Sequence, residues 1–250
     1  LMAYHRWFSA ARDPKNSGVI SIIHPWESGR DNCPDWDIGM RNIVVPDNLE
    51  SYARRDTSHV DSDQRPTQEQ YDRFITIVKF GRECGWDNQT IHAEGPFLMA
   101  DPGVQFIFLR ASRDLLAMAQ QLGMDMAVDE IRGWVDRVEA GSDFLWNEEV
   151  GGYCARDLRT GQFSDAITNA STLSFFADVG SPEQRASMAA HCRRILDASS
   201  FGMPSWDPDH PAFESQRYWR GPVWAIMNHM VISGLEDAGL ADLAARVRTD

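Results

Sequence analysis

The sequence predicts an all-α protein assembled from helix hairpins. Three observations carry that expectation: two complete capping signatures precede apolar runs with helical spacing, two long apolar stripes follow each other across a short turn, and strand-like alternation is sparse. No compositional linker and no tight repeat divides the chain, so residues 1–250 are expected to form a single domain.

Taken in order, the first helix has no capping residue before it, and the chain opens on Leu1. A loop rich in Pro, Gly, Trp and charge follows over 13–35, with further long loops at 46–66, 84–101 and 198–221. Loops beyond about 12–15 residues are uncommon in a compact domain and are usually functional. Thr67 with Gln70 forms a capping box ahead of Tyr71, Phe74, Ile75 and Val78, which predicts a helix from there. Asp101-Pro102 opens the next helix, with apolar positions 104, 107, 108, 111, 115, 118, 119 and 122 read as one stripe stopped by Gly123. Asp125 is expected to cap the stretch holding Val128, Ile131, Trp134, Val135 and Val138, ended by Gly141, which makes an αα-hairpin with its predecessor. Gly152–Ala155 with the turn-like Asp157–Gly161 reads as a surface β-hairpin at most. Ser181-Pro182 with Gln184 caps a helix through Met188, Ala189, Cys192 and Leu196. The sequence predicts a long helix from Gly221-Pro222 to Gly239, with Trp224 in its first turn, and another from Leu240 running uncapped to Asp250. Uncapped ends on both sides predict an internal part of a larger domain, incomplete at both ends.

Composition removes several functional classes. The 24 Lys and Arg against 37 Asp and Glu give a formal charge of -13, so phosphate backbones and anionic membranes are repelled. Neither a nucleic-acid partner nor a membrane partner is expected. No apolar run approaches the ~18 residues of a membrane span, and the first residues lack a signal peptide's apolar core, so a cytoplasmic protein is expected. Cys33, Cys84, Cys154 and Cys192 form no CxxC pair and are read as free thiols. No cofactor is called for. The richness of nine tryptophans suits a site offering flat apolar faces with polar edges, although core packing explains most of them equally well and a binding role is argued one residue at a time.

The densest loop runs from His24 through Trp26, Glu27, Arg30, Asp31, Asn32, Asp35, Trp36 and Asp37. Four carboxylates within eleven residues would repel one another and raise a pKa, as a general acid working near neutrality requires. Asp35 and Asp37 are read as acids favouring a helix start after Pro34. Glu27 and Asp31 have no such explanation and are the candidates for chemistry. A metal held by His24, Glu27 and Asp31 is the rival reading, weakened by the absence of a second cluster at ligand spacing. A second cluster, Gln216-Arg217-Tyr218-Trp219-Arg220-Gly221-Pro222-Val223-Trp224, sets the aromatic pair Tyr218-Trp219 between Arg217 and Arg220.

The string from His24 to Asp37, followed far downstream by Tyr218 to Trp224, resembles the mannosylglycerate and glucosylglycerate hydrolases of glycoside hydrolase family 63. That resemblance implies an (α/α)6 toroid and hydrolysis with inversion of a small glycoside substrate. It implies that Asp31 protonates the glycosidic oxygen, that Trp26, Glu27, Tyr218, Trp219 and Trp224 face the sugar, and that Arg65 and Tyr71 hold an acidic aglycone. A guanidinium fork suits a carboxylate, especially in a protein otherwise negative. The family's base is a Glu beyond the hairpin opened by Tyr218–Trp224, so it is expected after residue 250, since Glu236, Asp237 and Asp242 lie in helices. A trehalase-like or oligosaccharide-trimming α-glucosidase shares toroid and acid motif, and a non-catalytic sugar-binding toroid is the reading from another class. A homo-oligomer stays open.

Overall fold

The computed structural model describes residues 1–249. Its helices are α1 (Met2–Arg12), α2 (Asp37–Met40), α3 (Gln68–Glu83), α4 (Asn88–Glu94), α5 (Pro102–Gln121), α6 (Asp125–Gly141), α7 (Leu173–Phe176), α8 (Pro182–Ala198), α9 (Ala225–Asp237) and α10 (Ala241–Thr249). Short strands β1 (Ser21–Ile22), β2 (Met99–Ala100), β3 (Trp146–Asn147), β4 (Gly152–Tyr153) and β5 (Arg156–Asp157) and 3-10 turns at Pro25–Ser28, Pro34–Trp36, Ser62–Gln64 and Ser142–Leu145 complete the described elements.

Local signals hold where they are complete. Thr67 and Ser181 each accept from the amide three residues on, and Gln70 and Gln184 close both capping boxes. Asp101 caps α5 through the amides of Gly103 and Val104, with Pro102 at the first helical position. α5 then packs against α6, α9 against α10, and α7 sits between α5 and α9. At the α7–α9 contact the backbones nearly touch, because a Cβ on Gly234 would lie 2.3 Å from the Phe176 nitrogen. A contiguous apolar core runs through these hairpins from Ile20 to Val247.

Non-local forces overrule the reading elsewhere. The buried face of α5 comprises Phe106, Phe108, Leu109, Leu115 and Ala119, whereas Ile107, Met118 and Leu122 of the expected stripe are exposed. The face is rotated because α5 is covered by α6 on one side and α7 on another. Buried Gln105 belongs to that face because its amide is fully used: it accepts from the Ile20 amide at 2.7 Å and donates to Gly18 and Val138 carbonyls at 2.8 and 2.9 Å. Asp125 is the first residue of α6, and Met124 occupies the cap position. Loop 84–101 contains α4, capped by Asp87 onto Thr90. The expected hairpin at 152–161 is shifted along the chain and is not superficial: the turn at 157–161 closes and pairs 155–157 with 162–164, while β4 pairs backward with β3, β5 also joins β2, and Tyr153, Cys154 and Ala155 are buried. The helix expected from Gly221 starts at Ala225, because Pro222 and Val223 are drawn into extended pairing with Pro204 and Ser205.

What positions the site is the three-stranded antiparallel sheet β1-β2-β5, in which Ile22 faces Met99 and Met99 faces Asp157. Its buried first strand delivers the chain directly into the acidic loop that begins at His24.

Candidate active site

The acidic loop is a pair of 3-10 turns, Pro25–Ser28 and Pro34–Trp36. His24 caps the first by accepting from the Trp26 amide at 3.0 Å, while its other ring nitrogen bonds the Phe74 carbonyl at 3.1 Å. Both nitrogens are therefore occupied, and burial pushes its pKa down to about 4. Among the described residues no group of three His, Cys, Asp or Glu is placed to hold a metal. Gly29 ends the turn at φ 70, the left-handed region a glycine reaches without strain. Trp36 is core, and its indole donates to the Arg30 carbonyl at 2.8 Å.

Three of the four loop carboxylates are neutralised. Glu27 pairs with Arg12 and accepts from the Ile23 amide at 2.9 Å, so its oxygens are spent bracing the turn. Asp35 is 1% exposed and bonds Arg30 at 2.9 Å and Thr168 at 3.1 Å, while the same guanidinium reaches Asp101 at 2.6 Å. Asp37 takes the fork of Arg220 at 3.1 and 2.7 Å. These two acids thus do more than favour a helix start. Each tethers the loop to a distant segment.

Asp31 is the fourth, and among the described residues it forms no ion pair of that kind. The Tyr218 hydroxyl hydrogen-bonds its carboxyl instead. Its pKa is raised, chiefly by burial, against the opposing effects of the Tyr218 bond and the Arg65 charge, with Asp56 adding a smaller upward push. Repulsion within the loop is not the cause, because its other carboxylates are paired.

Tyr218 sits at φ 32, a left-handed conformation rare for a tyrosine. Around it, Trp219 is 5% exposed and stacks on Trp224 at 4.2 Å and 10°. Trp224 takes the cap position of α9 rather than its first turn, and its indole donates to the Tyr218 carbonyl at 3.2 Å. Gly221 is required because a Cβ there would lie 2.2 Å from the Glu214 carbonyl oxygen.

The Arg65 guanidinium lies 3.8 Å over the Tyr218 ring and 3.6 Å from Asp56. Arg54 grips Asp56 at 3.1 and 2.6 Å and stands 4.5 Å over the Tyr71 ring, which stacks on Tyr52 at 5.6 Å. Trp26, 39% exposed, meets Tyr71 edge-on at 6.0 Å. Asp31, Trp26, Arg65, Tyr71, Tyr218, Trp219 and Trp224 therefore form one assembly, with Glu27 at its rear against Arg12. Sequence reading missed Tyr52, Arg54 and Asp56. Their alternation of aromatic and charge in a long loop was the available signal.

The Mannosylglycerate hydrolase MGH1-like glycoside hydrolase domain matches residues 1–250. The chain belongs to this family. It is 42% identical over 250 residues to mannosylglycerate hydrolase MGH1 of Selaginella moellendorffii, covering all of this chain and 51% of that protein. It is 28% identical over 264 residues to the glucosylglycerate hydrolase of Mycolicibacterium hassiacum, covering 57% of that protein. The crystal structure of a GH63 mannosylglycerate hydrolase from Thermus thermophilus in complex with Tris and D-glycerate aligns at a TM-score of 0.95 and 40% identity, over all of this chain and 60% of that one. The helix hairpins are thus part of a GH63-type helical toroid, and the chain spans about half the length of the curated relatives it matches.

Proposed function

We propose that this chain supplies the acid side of an inverting glycosidase that hydrolyses glucosylglycerate or mannosylglycerate. The observation that carries the proposal is the meeting of a half-buried carboxyl with raised pKa, Asp31, with Tyr218 and Arg65 from two distant segments. Asp31 holds its proton toward the glycosidic oxygen and gives it up as the bond to the sugar breaks. Trp26 and Trp224 present faces to the glycone, buried Trp219 backs Trp224 rather than reaching the sugar, and Tyr218 orients the acid. Arg65 with Tyr71 takes the carboxylate of the glycerate aglycone, in keeping with D-glycerate in the Thermus thermophilus complex. The base, a carboxylate activating water on the opposite face about 6.5–9.5 Å from the acid, comes from residues after position 250.

The test is an assay of the full-length protein on both glycerate glycosides, with Asp31→Asn beside it. The variant is expected to lose about 10²–10⁴-fold in kcat, the usual contribution of a positioned acid. Unchanged turnover would remove Asp31 from the reaction, and hydrolysis of trehalose in place of the glycerate glycosides would overturn the substrate.

A further inference from the structure

Asn32 follows the proposed acid and is 2% exposed. Its side-chain oxygen accepts from the Trp219 amide at 3.1 Å, and its backbone carbonyl accepts from Arg220 at 3.4 Å. Arg220 in turn forks onto Asp37 of the same loop at 3.1 and 2.7 Å. Two points of the acidic loop are thereby bolted to the two residues that follow Tyr218. Tyr218 is the residue held at φ 32, and a tyrosine stays in that region only where its surroundings over-determine it.

We infer that Asn32 is a positioning residue whose side-chain oxygen, through the Trp219 amide, holds Tyr218 in its strained conformation so that the phenol meets Asp31. The inference rests on Asp31 being the acid. Side-chain truncation frees the Trp219 amide, lets Tyr218 relax toward ordinary φ, and withdraws the hydroxyl. The bond from Tyr218 favours the charged form of Asp31, so its loss raises the Asp31 pKa further. The other groups that act on Asp31 are Arg65 and Asp56 from the long loop and Tyr71 of α3, and every variant below retains them.

The experiment is a double-mutant cycle in the full-length protein, reading the Asp31 carboxyl resonance by carbon-13 NMR against pH, with assignment by its disappearance in Asp31→Asn. Asn32→Ala and Tyr218→Phe are each expected to move the titration to higher pH, and Asn32→Ala is expected to add nothing in the Tyr218→Phe background. Asn32→Ser, which keeps a small polar side chain, runs through the same cycle if the alanine variant fails to fold. In activity, kcat/KM on glycerate glycosides falls about ten-fold, matching one lost hydrogen bond of about 1.4 kcal/mol, and the high-pH limb moves up. No shift in either Asn32 variant, or an equal shift with and without the Tyr218 hydroxyl, would overturn the inference. Absence of turnover by the unaltered protein would defeat the functional reading alone, because the titration needs no substrate.

Discussion

Removing Arg65 acts on binding and on proton delivery in ways that can be separated. Its guanidinium faces the Tyr218 ring at 3.8 Å and reaches Asp56 at only 3.6 Å, so it is weakly held and free to fork onto a substrate carboxylate. A charge-assisted hydrogen bond contributes about 1.5–3 kcal/mol, so Arg65→Met should lower kcat/KM for glycerate glycosides by about 10- to 150-fold. A methyl glycoside of the same sugar, which lacks the carboxylate, should lose far less. The second effect has a definite sign. The Arg65 charge favours ionised Asp31, so its removal raises an already raised pKa and keeps the acid protonated to higher pH. Activity that depends on protonated Asp31 then persists to higher pH, and the high-pH limb of kcat/KM moves up. Initial rates measured over pH for both substrates read both effects. Equal losses on the two substrates, or a high-pH limb that moves down, would refute the assignment of Arg65 to the aglycone carboxylate.

Two further expectations concern the frame. Arg30→Met leaves Asp35 and Asp101 buried without their shared cation, and breaking a buried pair of this kind costs about 3–5 kcal/mol, to be read from urea unfolding at neutral pH. His24 has a folded pKa of about 4 against 6.5 unfolded, so its contribution is intact above pH 6.5 and is lost as pH falls toward 4, by about 3 kcal/mol in all; unfolding of His24→Leu should show a flatter dependence over that window.

Legibility followed the range of the forces. The Thr67 and Ser181 capping boxes and the Asp101-Pro102 start are satisfied within three residues, so the sequence alone displays them. The partner of β4 and the extended run at Pro222–Val223 depend on segments the local pattern does not name, namely β3 and the Pro204–Ser205 stretch. In the site, Asp31 and Tyr218 stood out as members of unusual strings, yet their meeting follows from Asn32 and Arg220 bridging two loops, which no periodicity encodes. The roles of Asp35 and Asp37 were hidden for the same reason, since Arg30 pairs Asp35 to Asp101 and Arg220 reaches Asp37 across the chain.

Those pairings explain how one carboxyl in a crowded acidic loop can act differently from its neighbours. Four free carboxylates so close would share protons, and no single one would have a defined role. Here Arg12, Arg30 and Arg220 engage Glu27, Asp35 and Asp37 in ion pairs within the frame, whereas on Asp31 burial is the largest influence. Burial alone would leave the acid reluctant to release its proton. The Tyr218 hydroxyl and the Arg65 charge favour the carboxylate form, so in the proposed reaction the same contacts that restrain the pKa would stabilise the product of proton donation. Because Arg65 also faces the place proposed for the aglycone carboxylate, a bound glycerate group would offset that positive charge and raise the Asp31 pKa, so the substrate itself would help keep its acid protonated until the bond breaks.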